Sequence, residues 1–140
     1  MLLAALRGAS CYALDRIFSR PYVGEVVNVF VTDEFKGWYD DLDETDAARV
    51  GFVVDLLEAA GVSLGFPHSS AIEGSRFAMR ELRVQSKGRP LRVLYAFDPA
   101  RDAVLIIGGD KTGNDRFYEE YVPRAEAIWA NYLRELGAGR

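Results

Sequence analysis

The first part of the chain changes from an apolar run to helical spacing. Residues 25–31 read EVVNVFV, a run rich in β-branched side chains without a breaker, and we expect a strand there. Thr32 or Asp33 can then cap a helix. The apolar positions of this helix recur at i, i+3, i+4 and i+7, at Phe35, Trp38, Tyr39 and Leu42.

A second helix is indicated after an acidic stretch. Thr45 is its expected N-cap, and Asp46 falls in the first turn, where the helix dipole favours negative charge. Gly61 fits the left-handed position that ends many helices. We expect the two helices to form an antiparallel pair, followed by a loop at residues 62–75. The inward-facing stripe of the second helix consists of Val50, Val53, Val54 and Leu57.

The second half of the chain predicts three strands in close succession. They span residues 77–84, 91–97 and 104–108, and the segments between them have the length of hairpin loops. This order predicts an antiparallel meander. A closing helix follows, with Pro123 near its N-terminus. Its apolar positions are Ala125, Ile128, Trp129, Tyr132 and Leu136.

The order of elements is therefore β-α-α-β-β-β-α, which is an α+β pattern. We expect a single domain over residues 25–140, a mostly antiparallel twisted sheet with a two-helix hairpin and a C-terminal helix. Residues 1–24 show only partial helical spacing, which ends at Arg20-Pro21. We interpret them as a peripheral N-terminal extension.

The composition narrows the possible chemistry. The 140 residues are 49% hydrophobic, which suits one domain with a real core. A single Cys excludes an intramolecular disulfide and favours a reducing compartment, so we expect a cytoplasmic protein. One Cys and one His cannot supply the usual zinc ligand sets, and no metal or cofactor is expected. No apolar run reaches the length of about 18 residues that indicates a membrane span.

The charge is distributed unevenly along the chain. The net charge is -4, yet residues 76–111 carry eight basic and four acidic residues, a local charge of +4. Residues 1–75 carry five basic and twelve acidic residues, a local charge of -7. The sequence therefore predicts a basic meander on an acidic body, and a basic patch is compatible with a nucleic-acid partner.

Four cations of the meander are candidates for a phosphate site. Side chains alternate along a strand, so Arg80 shares a face with Leu82, whereas Arg83 shares one with Glu81. Arginine offers forked donors and lysine a compact charge to phosphate. The alternative is a solvated sheet face on which Arg83 pairs with Glu81. We expect one concave surface on which four side chains converge: Arg80, Arg83, Arg92 and Lys111.

Three other features have a weaker claim to chemistry. Residues 108–113 read GGDKTG, in which Asp110 stands where a Walker phosphate loop requires glycine, so this segment is not a nucleoside triphosphate site. We interpret its glycines as ending a strand and letting the backbone turn close to a ligand. His68 lies in a loop with no acid partner nearby in sequence, and Cys11 lies in the extension.

Three segments together resemble a known family. They read MRELR at residues 79–83, RVLYA at residues 92–96 and LIIGGDK at residues 105–111. Their order and spacing resemble the phage-derived, HigB-like branch of the RelE/HigB toxin superfamily, over about residues 25–135. The resemblance implies the microbial-ribonuclease-like (RelE-like) fold, which agrees with the order of elements derived from periodicity.

The resemblance also implies a function. Members of this superfamily branch are toxins of type II toxin-antitoxin systems. They are metal-independent endoribonucleases that cleave mRNA, often at the ribosome, and so inhibit translation. The implied partners are mRNA, the ribosome and a cognate antitoxin, which in the HigB branch is commonly a helix-turn-helix DNA-binding protein. No cofactor and no membrane partner are implied.

Individual roles follow from the same resemblance. Arg92 matches the family arginine that contacts the scissile phosphate, and Arg83 matches the basic residue that closes the preceding strand. Lys111 is implied to stabilise charge or the leaving group, and Tyr118 to stack on a base or transfer a proton. The implied neighbours that bind substrate are Arg80, Lys87, Arg89 and Tyr95.

Two alternatives stay open. Met79 and Glu81 stand where RelE-type relatives place lysines, so the general base is one of Lys, Tyr and Glu81. The first alternative, suggested by these two substitutions, is an accessory protein that only binds a partner. The other is a gyrase-inhibiting toxin of the ParE kind on the same fold. In that class the basic sheet residues are missing or scattered, so the retained arginines argue against it.

Overall fold

A five-stranded sheet organises residues 27–138, the part of the chain that the computed structural model describes. The strands are β1 (Val29–Val31), β2 (Ser69–Ala71), β3 (Arg80–Ser86), β4 (Arg89–Phe97) and β5 (Ala103–Asp110). The helices are α1 (Asp33–Asp40), α2 (Glu44–Ala60) and α3 (Phe117–Ala138), with a short 3₁₀ turn at Gly61–Ser63. The expected extension at residues 1–24 and the first residues of the expected first strand lie outside the described residues.

The sheet has the order β1-β5-β4-β3-β2. Strands β2, β3, β4 and β5 pair antiparallel, and β1 pairs parallel with β5. This arrangement confirms the α+β class and the meander, whose strands begin and end within three residues of the predicted bounds. Strand β2 was expected to be loop. It has only three residues, two of them serines, and so carries no periodic signal; its extended conformation comes from pairing with β3.

The sheet is covered on both faces. Helices α1 and α2 pack their apolar side chains on one face, against Leu82, Val93 and Leu105. Helix α3 covers the other face, with Phe117 and Trp129 among the buried residues there. Because both faces are buried, β4 and β5 read as nearly continuous apolar runs. No helix in the described part of the chain is long and apolar enough to span a membrane.

Different residues cap the N-termini of α1 and α2. As predicted, Thr32 caps α1, since its hydroxyl accepts from the N–H of Phe35 at 3.1 Å and donates to the carbonyl of Ile106 at 2.6 Å. The N-cap predicted for α2 at Thr45 is wrong. Asp43 caps this helix instead, with its carboxylate accepting from the N–H of Asp46 at 2.8 Å.

Helix α3 begins earlier than predicted. It starts at Phe117, so Pro123 lies inside the helix rather than near its N-terminus. A proline there removes one intrahelical hydrogen bond. The helix starts before the proline because the ring of Phe117 is fully buried and the turn before it is fixed. In that turn Asn114 Oδ1 accepts from the N–H of Arg116 at 3.0 Å.

Two adjacent glycines let helices approach β5 from both faces. A Cβ on Gly108 would overlap the indole ring of Trp38 in α1, and a Cβ on Gly109 would lie 2.6 Å from the ring of Tyr121 in α3. Strand β5 continues through both glycines to Asp110. The expectation that they end the strand for a ligand is therefore wrong, because the groups that come close are aromatic rings of the protein itself.

Replacing Gly108 by Ala is expected to destabilise the fold, because the added methyl group overlaps the Trp38 ring. Overpacking of this kind costs roughly 1–3 kcal/mol. Gly37→Ala is the matched control: Gly37 is an exposed position of α1 with nothing within 4 Å of an added Cβ. Alanine there gains up to about 1 kcal/mol of helix propensity. Urea unfolding gives the change in the free energy of unfolding for each variant. A Gly108→Ala variant as stable as the wild type would contradict the close packing of Trp38 on Gly108.

Candidate functional site

A buried carboxylate, that of Glu81 in β3, lies on the face of the sheet that α3 covers. Its Oε1 accepts a hydrogen bond from the Tyr118 hydroxyl at 2.7 Å and lies 3.6 Å from Nε of Arg92. Its Oε2 accepts from the Ser70 hydroxyl at 2.9 Å and from a terminal nitrogen of Arg83 at 3.1 Å. These five residues, contributed by β2, β3, β4 and α3, are called the Glu81 cluster below.

The strand register brings two positive charges together in this cluster. Arg83 of β3 and Arg92 of β4 are direct cross-strand partners. Like charges directly opposite each other destabilise a strand pair. Glu81 lies two residues before Arg83 on the same face of β3, where its carboxylate forms an ion pair with each guanidinium. The MRELR segment thus carries the counter-ion that this register requires.

The two arginines differ in their access to solvent. The Arg92 side chain is 5% exposed, whereas that of Arg83 is 33% exposed. Arg92 donates to the carbonyl of Leu91 at 3.0 Å. Among the residues that the structure describes, none accepts a hydrogen bond from its buried Nε. A ligand that enters from solvent would therefore meet Arg83 first, and Arg92 lies beneath it.

Tyr118 and Lys111 lie at the other side of the cluster. The ammonium of Lys111 lies 5.4 Å from the centre of the Tyr118 ring, within the range of a cation–π contact. Burial raises the pKa of the Tyr118 phenol above its ordinary value, and the hydrogen bond to the Glu81 carboxylate raises it further. Tyr118 therefore keeps its proton at neutral pH and acts as a hydrogen-bond donor.

Two open clefts meet at Tyr118. One, of about 330 Å³, is lined by Ala71, Ile72, Glu73, Glu81 and Tyr118. The other, of about 440 Å³, is lined by Pro90, Tyr118 and the turn from Lys111 to Asp115. Because Tyr118 lines both, a chain-like ligand that crosses this face would pass the phenol, with Lys111 on one side and the Glu81 cluster on the other.

Arg80 and Tyr95 lie on the opposite face of the sheet. The Arg80 Nε donates to the Ser69 hydroxyl at 3.1 Å and to the Tyr95 hydroxyl at 3.4 Å. The expected convergence of Arg80 with Arg83, Arg92 and Lys111 is therefore wrong, because side-chain alternation separates Arg80 from Arg83. Tyr95 is fully buried, so it offers no surface to a substrate in this structure.

Lys87 and Arg89 are held by carboxylates at the tip of the β3–β4 hairpin. Lys87 forms an ion pair with Asp43 at 2.5 Å. Arg89 pairs with Asp46 and, at 2.6 Å, with Asp110. The acidic start of α2 thus pairs with the basic hairpin, and both of these cations have carboxylate partners in this structure.

The part played by Ser70 and the central position of Glu81 could not be assigned from the sequence alone. Ser70 lies in a segment expected to be loop, and Glu81 is expected only as a surface partner of Arg83, as a departure from the family pattern and as one of several possible general bases. Strand alternation already places Glu81 on the same face as Arg83, which is the one signal that points to its central position. Its contact with Tyr118 joins residues 37 positions apart and depends on the packing of α3.

Comparisons with known proteins identify the family. The family model described as phage-derived protein Gp49-like (DUF891) matches residues 37–130, more than half of the chain. The chain belongs to the phage-derived Gp49-like family. Every residue of the Glu81 cluster, and Lys111, lies inside the matched Gp49-like region.

Two curated relatives carry toxin names. "Putative toxin HigB3" of Mycobacterium tuberculosis is 40% identical over 114 residues, which cover 79% of this chain and 98% of that protein. "Putative toxin HigB2" of the same organism is 35% identical over 107 residues, which cover 74% of this chain and 53% of that protein, about half of its length. No solved structure matches. The resemblance of this Gp49-like chain to the phage-derived HigB branch is confirmed.

The ion pairs at the tip of the β3–β4 hairpin predict that the stability of the fold decreases at acid pH. The hydrogen bond from Ser86 lowers the pKa of Asp46, and Arg89 lowers it further against the effect of burial. Because the pKa is lower in the folded chain, this stabilisation is fully present above the unfolded value of about 3.9 and is lost as the pH falls through the folded value. Asp46→Asn is expected to cost roughly 1–3 kcal/mol at neutral pH.

The measurement is urea unfolding as a function of pH. The difference in stability between the wild type and Asp46→Asn should shrink below about pH 4. Asp40→Asn is the control, since Asp40 pairs with Lys36 on the surface of α1 and such pairs contribute little. Parallel pH curves for the wild type and Asp46→Asn down to strong acid would show that Asp46 does not hold the hairpin tip.

Proposed function

We propose that this protein is the toxin of a type II toxin-antitoxin system and that it acts as a metal-independent endoribonuclease on mRNA. The observation that supports this most is the arrangement around Tyr118. Two cations that reach solvent, Arg83 and Lys111, flank a protonated phenol between two open clefts. The toxin names of the two relatives support the same reading.

The proposed reaction is transesterification within the RNA chain. The ribose 2′-oxygen attacks the adjacent phosphorus, the bond from phosphorus to the 5′-oxygen breaks, and a 2′,3′-cyclic phosphate and a 5′-hydroxyl result. Negative charge grows on the non-bridging oxygens, where preorganised cations are most effective. Arg83 and Lys111 supply those cations. Arginine carries five N–H donors, so Arg83 can bind Glu81 and the phosphate at once.

Arg92 takes a different role from the one the resemblance implies. With its side chain 5% exposed, it is too deeply covered to be the first contact of a phosphate. We assign it to hold the Glu81 carboxylate and to add positive potential from beneath. In this assignment Arg83 is the arginine that touches the scissile phosphate, and Arg92 is a positioning residue.

Proton transfer falls to Tyr118 and solvent. Tyr118 carries its proton and lines both clefts, so it is the proposed donor to the departing 5′-oxygen. In this step its single O–H turns from Glu81 to that oxygen, and the phenolate then regains a proton from water. Both oxygens of Glu81 already accept hydrogen bonds, so the proton of the 2′-hydroxyl leaves to water. Much of the rate enhancement would then come from positioning and electrostatics, and presentation of the mRNA by the ribosome would contribute to that positioning.

Substitution of the two half-buried cations, Arg83 and Lys111, tests this function. Arg83→Ala and Lys111→Ala are each expected to lower the cleavage rate about 10²–10³-fold, as does the loss of one transition-state donor elsewhere. The measurement is the mapping of mRNA 5′ ends after induction in cells, followed by cleavage of free and ribosome-bound mRNA by purified protein. Arg134→Ala is the matched control, because Arg134 is an exposed cation of α3 that bonds Asn131.

The outcomes separate the possible functions. If the wild type is toxic, leaves mRNA intact and inhibits DNA supercoiling, the protein is a gyrase-directed toxin and the proposed ribonuclease function is wrong. Unchanged toxicity in both substituted variants would point to an accessory protein that only binds a partner. We propose that the partner that silences the toxin is a cognate helix-turn-helix antitoxin, and co-expression with the product of an adjacent small gene should restore growth.

A further inference from the structure

An exposed aromatic ring lies against the Glu81 cluster. Phe66 is 80% exposed, more than any other large apolar side chain in the described part of the chain. A single exposed phenylalanine is ordinary by itself. This ring, however, lies 5.6 Å from the guanidinium carbon of Arg83, the half-buried arginine of the site that reaches solvent. Phe66 therefore adjoins the proposed phosphate contact, although nothing in the sequence pattern marked it.

The turn that carries Phe66 is fixed to the sheet. The carbonyl of Gly65 accepts from the N–H groups of His68 and Ser69 at 3.1 and 3.0 Å, which closes the turn around the phenylalanine. The carbonyl of His68 then accepts from the N–H of Arg83 at 2.8 Å. The turn is thus bonded to the residue whose side chain contacts the ring, so the ring and the guanidinium are positioned together.

Arg80 holds the same turn from the other face of the sheet. A terminal nitrogen of Arg80 lies 3.4 Å from the carbonyl of Leu64, just before the turn, while its Nε binds the Ser69 hydroxyl just after it. This gives Arg80 a role as a positioning residue. A ring held in place in this way loses little conformational freedom when a ligand stacks on it.

The chemistry of the neighbours points to a nucleobase as the ligand. In a single-stranded RNA each phosphate is joined through one ribose to a base, so a phosphate on Arg83 brings a base close to the ring. Arginine and aromatic planes are the groups on which proteins stack unpaired RNA bases. Phe52, the other phenylalanine exposed in the described part of the chain, lies in α2, and its ring contacts that of His68.

We propose that Phe66, together with the guanidinium of Arg83, forms a stacking platform for one unpaired base of the RNA, next to the phosphate that is cleaved. The proposal rests on the ribonuclease function proposed above and extends it to the substrate contacts. The platform accepts any base, because every base has a π face, and it raises affinity without taking part in the chemical step.

A set of Phe66 variants tests the platform. Phe66→Leu keeps an apolar side chain but removes the π face, Phe66→Trp keeps the π face, and Phe52→Leu removes an exposed ring away from the site. We expect Phe66→Leu to weaken RNA binding about 5- to 100-fold, the range for loss of one stacked base. Phe66→Trp and Phe52→Leu should bind as the wild type does.

The probe is a single-stranded oligoribonucleotide with 2′-O-methyl riboses, which cannot be cleaved, and with 2-aminopurine in place of single bases. Anisotropy gives the dissociation constant, and quenching of 2-aminopurine reports stacking itself. Quenching that is present in the wild type and Phe66→Trp but absent in Phe66→Leu supports the platform. Identical melting temperatures for the variants exclude a change in folding as the cause.

Other results would overturn the proposal in distinguishable ways. If the wild type cleaves RNA and Phe66→Leu matches it in affinity, KM and quenching, the platform is wrong and the ribonuclease stands. If Phe66→Leu binds RNA normally but loses affinity for the antitoxin, the ring is a protein-docking residue. If the wild type neither binds nor cleaves RNA, the platform and the ribonuclease function fall together.

Discussion

The carboxylate of Glu81 balances two guanidiniums that the register of β3 and β4 places directly opposite each other. Without it, Arg83 and Arg92 would repel each other across a strand pair covered by α3, and the buried guanidinium of Arg92 would lack a counter-ion. The same carboxylate binds the Tyr118 hydroxyl and so ties the first turn of α3 to the sheet. The shape of the site therefore depends on one side chain that is itself almost inaccessible.

The position of Tyr118 also depends on a residue without a side chain. Gly109 lies beneath the rings of Phe117 and Tyr121, which flank Tyr118 in α3, and a Cβ at Gly109 would overlap both. The close approach of the helix to β5 is what lets the phenol reach Glu81. On the other face, Gly108 admits Trp38 of α1 in the same way. Helix placement and site geometry are thus two results of the same pair of glycines.

The elements with strong periodicity could be predicted from the sequence, and the others could not. The meander and both hairpin helices follow from apolar spacing, which is a local property. Strand β2 exists only through its pairing with β3, and α3 begins before Pro123 because Phe117 is buried against the sheet, so both depend on contacts distant in sequence. For the site, alternation places Glu81 with Arg83, but the burial of Arg92 and the contact of Phe66 with Arg83 arise only from packing.

Most positive charges of the meander are compensated by ion pairs, so its local charge of +4 overstates the positive potential that it presents to solvent. In the basic block, Arg76 pairs with Glu126, Lys87 with Asp43, Arg89 with Asp46 and Asp110, and both Arg83 and Arg92 with Glu81. Affinity for nucleic acid that comes from counter-ion release scales with the number of phosphates neutralised, and a site with two solvent-facing cations neutralises few. Such a site gains little from long-range attraction. In the proposed ribonuclease, selectivity for RNA would then come from short-range contacts, which gives stacking and presentation of the substrate more weight than net charge.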